Sequence, residues 1–88
     1  MSPPAPNTLD VRPLPPRRTS PTVLAAFDQL APGESFVLVD DGDPARLRQR
    51  MEAERPGEAR WVALREGPRV WHIEITRRRS GADGDAAT

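Results

Sequence analysis

The sequence predicts an α/β (α+β) two-layer sandwich in the order strand, helix, strand, helix, strand, strand. Three observations carry this expectation. Ser20-Pro21 and Asp43-Pro44 each precede residues at helical spacing, and each pairs an N-capping side chain with a proline suited to the first helical position. Phe36 to Val39 is an unbroken apolar run of strand length. Trp71, Ile73 and Ile75 alternate with His72 and Glu74, the period of a strand with one buried and one wet face.

The elements follow in chain order. Residues 1–8 are Pro-rich and polar and read as a disordered tail, which holds Pro3, Pro4 and Pro6. Leu9 to Leu14 reads as a short strand truncated by Pro13, with Pro15-Pro16 forcing an extended connection. A first helix starts at Ser20-Pro21, and Val23, Leu24, Phe27 and Leu30 give it one apolar stripe. Pro32-Gly33 stops it, and Ser35 to Asp40 forms a central strand. Asp43-Pro44 opens a second helix with Leu47 and Met51 inside. Its Arg46, Arg48, Arg50, Glu52 and Glu54 are expected to face water, and Pro56-Gly57 ends it. Arg60 to Arg65 and Val70 to Thr76 form a hairpin around Glu66-Gly67-Pro68-Arg69. Each helix is a crossover, so the first two strands should be parallel neighbours, with both helices over one face of a four-stranded sheet. Residues 80–88 read as a second disordered tail, leaving 9–79 as the folded domain. A core of roughly 70 residues contributes on the order of 3–5 kcal/mol of net stability.

Composition excludes several chemistries. The 88 residues carry 13 Lys+Arg against 13 Asp+Glu and no cysteine. Without a thiol there is no disulfide framework, thiolate zinc site, iron–sulfur cluster or cysteine nucleophile. The balanced charge argues against a dedicated nucleic-acid binder. All cations are arginine, which reads first as the codon bias of a GC-rich genome. No apolar run reaches membrane-spanning length and no basic start leads into an apolar leader, so the expected location is cytoplasmic.

Individual motifs are read conservatively. Asp40-Asp41-Gly42-Asp43 lacks the ligand spacing of a calcium loop and reads as a turn in which Asp43 caps a helix. Arg77-Arg78-Arg79 reads as a solvated strand end, and the single histidine, His72, as a surface residue. Trp71 is expected in the core. Trp61, on an edge strand, is expected to pack or to anchor an interface. The best constellation lies at the carboxyl ends of the first two strands. Ligands collect there in open α/β sheets, and Arg12, Arg17, Arg18, Ser20, Asp41 and Asp43 would line the place. Salt bridging of those arginines with Asp10, Asp41 and Asp43 is the structural alternative.

Leu9-Asp10-Val11-Arg12-Pro13-Leu14-Pro15-Pro16, Leu30-Ala31-Pro32-Gly33-Glu34, Phe36 to Val39, Glu52 to Gly57, Trp61 and Glu66-Gly67-Pro68 with Val70-Trp71 together resemble a bacterial domain-of-unknown-function family, numbered 2249. The resemblance covers about 9–75. It implies a TusA-like, sulfur-carrier-like fold with strand order 1-2-4-3, and a likeness to the C-terminal domain of translation initiation factor 3. The sulfur carriers' cysteine is absent, because the matching segment is Pro15 to Ser20. Family members commonly carry histidines at the positions held here by Ser20 and Gly42. They are also met beside hemerythrin-like and nitrogen-oxide respiration proteins, which implies a protein partner in such a setting.

The expected function is therefore a non-catalytic accessory or binding domain, for a protein partner or a small anionic ligand. It needs no cofactor and no metal. The alternative is an RNA contact module using Arg77, Arg78, Arg79 and the Arg12–Arg18 segment, with Trp61 on the interaction surface.

Overall fold

The computed structural model describes residues 7–79. Residues 1–6 and 80–88 lie outside the described residues, and with them most of both expected tails. Six elements follow one another: β1 (Asn7–Asp10), α1 (Pro16–Asp28), β2 (Ser35–Asp40), α2 (Ala45–Glu54), β3 (Ala59–Glu66) and β4 (Trp71–Arg77). They form one sheet of order β1-β2-β4-β3. β1 lies parallel to β2, while β4 runs antiparallel to both β2 and β3. The expected architecture and strand order hold.

Both helices cover the same sheet face. Val23 and Phe27 of α1 and Leu47 and Met51 of α2 join Phe36, Leu38, Ile73 and Ile75 in one buried cluster. Those four strand residues occupy alternate positions, and Phe36 pairs with Ile75 as Leu38 does with Ile73, so they share a face. Val39 is buried on the other side, opposite His72. No helix among the described residues is long and apolar enough to cross a membrane.

Two boundaries differ from the sequence expectation. β1 is Asn7–Asp10 and not Leu9–Leu14, so Asn7 and Thr8 leave the expected tail and pair with Phe36 and Val37. As an edge strand β1 buries little, and Leu9 alone among its side chains is partly buried, so apolar periodicity could not mark it. Beyond it the chain turns at once: Val11 donates its N–H to the Val39 carbonyl at 3.0 Å, and Leu14 donates to Val11 at 3.0 Å.

The second difference is the start of α1. Pro15 is its N-cap residue, with φ −61° and ψ 146°, and Pro16 is its first helical residue. Ser20 and Pro21 therefore lie inside the helix. Pro16 satisfies the same rule as Pro21, since the first turn has no use for its missing N–H. Starting five residues earlier extends the helix by more than a turn. The cost is one lost backbone bond at Pro21.

Two contacts fasten the far ends of the helices. Arg55, which closes α2, donates to both carboxylate oxygens of Asp28 at the end of α1, at 2.9 and 2.6 Å. Arg77, expected in a solvated run, is half-buried instead. Its Nη1 donates to the Leu30 carbonyl at 2.9 Å, and its guanidinium lies 5.6 Å from the Phe27 ring centre.

Of the tryptophans, Trp71 departs from expectation and Trp61 meets it. Trp71 is half-buried and lies outside the core cluster, whereas Trp61 packs against that cluster. Trp71 opens β4 at the sheet end and lies across the turn. A Cβ built on Gly67 would meet its indole at 3.0 Å, and Gly67 itself sits at φ +45°. Gly67→Ala should therefore cost about 1–2 kcal/mol through backbone strain and displacement of the indole. Urea melts followed by tryptophan emission check this. A neutral substitution would contradict the close seating of Trp71.

Candidate functional site

A cleft of about 740 Å³ opens where β1 and β2 end. One wall is the loop after β1, with Arg12 and Leu14. The second is the inner side of α1, with Thr19 and Ser20. The third is the turn after β2, with Asp40 to Asp43, followed by α2 with Arg46, Gln49 and Arg50. The parallel pairing of β1 and β2 places both carboxyl ends on one edge, which creates this position.

Four of the six expected ligand residues line it: Arg12, Ser20, Asp41 and Asp43. Arg17 and Arg18 do not. They lie on the opposite side of α1, beside Pro21 and Thr22. The five-residue shift in the start of α1 is the reason, because it makes Arg17 and Arg18 helical residues of the outer face. It also removes the expected anion-binding helix end at Ser20, which is now flanked by helical turns.

Arg46 and Arg50 take the place of the missing pair. Both are exposed, as expected, and they stand four residues apart on α2 and border the open cleft together. Arg50 makes a loose ion pair with Glu54 at 3.5 Å. Arg46 has no ion pair or side-chain hydrogen bond among the described residues. Helical periodicity identified the buried stripe of α2 but not which flank meets the neighbouring loop.

Arg12 is less free. It grips Asp10 through Nε at 2.9 Å and Nη2 at 2.7 Å, and its backbone N–H donates to the same carboxylate at 3.0 Å. These bonds lower the Asp10 carboxyl to about 2 and raise the guanidinium in turn. Of the expected partners, Asp10 is the one that Arg12 takes. Asp43 instead accepts the Ala45 N–H at 2.9 Å at the start of α2, as its capping role required, although the N-cap residue itself is Pro44. Asp40 is half-buried at the end of β2. Burial pushes its carboxyl upward and the Asp41 charge adds to this, against hydrogen bonds from the backbone of Asp41 and Gly42.

The surface residues fall elsewhere. Trp61 borders a smaller hollow between α2 and the β3–β4 end of the sheet. Arg78 and Arg79 are exposed at the other end of β4, while Arg77 is held by α1. The arginine run thus presents two exposed cations where three were expected.

Residues 8–77 match the family described as "Uncharacterized conserved protein (DUF2249)". The chain belongs to the DUF2249 family. The match spans every element from β1 to β4 and includes the whole cleft. Ser20 and Gly42, where the family resemblance places histidines, both border the cleft in this DUF2249 member. No curated protein and no solved structure matches the chain.

Proposed function

We propose that this chain is a non-catalytic binding domain whose cleft takes a small ligand bearing an anionic group. The observation that carries the reading is the convergence of Arg12, Arg46 and Arg50 on one cleft from two separate segments. Guanidinium groups recognise carboxylate and phosphate through paired N–H donors. The Thr19 and Ser20 hydroxyls and the Gln49 amide add neutral donors beside them. The TusA-like fold belongs to this reading, without sulfur transfer, since no thiol is present.

A small ligand is favoured over a protein surface for a physical reason. Leu64 is the one large apolar residue that is well exposed among the described residues, and single exposed apolar residues are ordinary. Asp41 and Asp43 oppose an anion, so the affinity should be near millimolar, about −4 kcal/mol.

Inorganic phosphate, titrated at constant ionic strength, should raise the melting temperature. At ten times its dissociation constant it adds about 1.4 kcal/mol of stability. Arg46→Ala and Arg50→Ala should each reduce that gain, and Arg78→Ala should leave it intact. Equal loss in all three variants would reduce the effect to general charge screening.

A further inference from the structure

A second hollow, of about 180 Å³, lies at the same end of the sheet between the start of α2 and the β3–β4 hairpin. That is smaller than the roughly 300–1,000 Å³ of pockets for drug-sized ligands, and suits a single head group. Trp61 and Trp71 border it with Ala63 between them, and Asp43, Glu66 and Arg48 supply its charges.

The placement of Glu66 results from an irregularity in β3. Trp61 pairs with Ile75 and Ala63 with Ile73, so Trp61 and Ala63 face the helices. Strict alternation would next turn Arg65 inward and Glu66 outward. The register shifts between Ala63 and Arg65, so that Arg65 meets His72 and Glu66 meets Trp71. Leu64 is the extra residue of this bulge. The bulge thereby moves Glu66 onto the tryptophan side, a re-aiming that bulges perform near functional sites.

Two indoles with carboxylates beside them form the surroundings that attract an organic cation, through the ring faces and through charge. The hollow's own cation does not fill the role: among the described residues the one cation–π contact is Arg77 over Phe27, not Arg48 over an indole. The Glu66 side chain is exposed and makes no ion pair or hydrogen bond among the described residues. We propose that this hollow binds the quaternary or methylated ammonium head of a small molecule between Trp61 and Trp71, with Glu66 as its counter-charge. The hollow shares Asp43 and Pro44 with the anion cleft, but neither Glu66 nor the tryptophans border that cleft, so the inference does not rest on anion binding.

The test titrates the full chain with tetramethylammonium chloride, replacing sodium chloride at constant ionic strength, and follows the two indole N–H signals by NMR. Both should shift and saturate together. Tert-butanol, similar in shape and uncharged, should bind at least fivefold more weakly. Glu66→Gln should weaken tetramethylammonium binding threefold or more, and Arg48→Gln should strengthen it, since it removes a repelling charge. Both substitutions lie on the surface and should leave the fold intact. Equal binding of tert-butanol, an unchanged constant in Glu66→Gln, or indole signals that do not saturate would each overturn the proposal.

Discussion

Replacing Phe27 with alanine is expected to leave the chain largely unfolded in water. The ring is fully buried at the centre of the single core cluster, between α1 and the sheet. Truncating a buried phenylalanine costs about 3–5 kcal/mol, from lost transfer energy and the cavity left behind. A domain of this size has a net stability on the order of 3–5 kcal/mol, so the change removes most of it. The variant also leaves the Arg77 guanidinium without the ring it lies on. Urea melts followed by far-UV circular dichroism provide the measurement. Leu64→Ala is the control, because Leu64 is 56 % exposed and its loss should stay within about 0.5 kcal/mol. A Phe27→Ala midpoint close to that of the control would contradict the assignment of the core.

Arg77→Ala should be the most damaging change of a charged residue, at about 2 kcal/mol. The side chain donates to the Leu30 carbonyl at 2.9 Å and to the Asp28 carbonyl at 3.5 Å, both at the carboxyl end of α1. It also approaches Glu58 at 3.9 Å. A hydrogen bond from a charged group contributes roughly 1.5–3 kcal/mol, and a cation at a helix carboxyl end adds to it. Arg77→Lys should recover only part of the loss, because a compact ammonium placed to donate to these carbonyls has no planar group left to lie on the Phe27 ring. Arg78→Ala, at the next residue but exposed, should stay within about 0.5 kcal/mol. Full rescue by lysine would show that only the charge matters.

The parts of the fold that rest on side-chain periodicity were legible. Val23, Phe27, Leu30, Leu47, Met51, Ile73 and Ile75 were all expected inside, and all are buried. The parts that rest on competing local signals were not. Pro15-Pro16 and Ser20-Pro21 both fit a helix start, and no local rule decides between them, since the longer helix prevails through packing of the whole domain. Trp61 packs against the core as expected, but Trp71 does not reach it, because it is the first residue of β4, at the sheet end, where two-residue alternation fixes the face but not the depth of burial. The candidate site was legible as a place more than as a set of residues. The parallel pairing of β1 and β2 located the cleft, with Arg12, Ser20, Asp41 and Asp43 on it. Arg46 and Arg50 escaped notice because a polar helix flank looks the same whether it faces open water or a neighbouring loop.

The central claim is that the cleft between β1, β2 and α2 receives an anion through its arginines. The most direct measurement is a chemical-shift map of the side-chain Nε–H groups of the arginines during a phosphate titration at constant ionic strength. The account predicts saturable shifts at Arg46 and Arg50, a smaller one at Arg12 because Asp10 already holds it, and none at Arg17, Arg18, Arg78 or Arg79. Uniform, non-saturating shifts over all of these arginines, or saturation centred on Arg17 and Arg18, would contradict it.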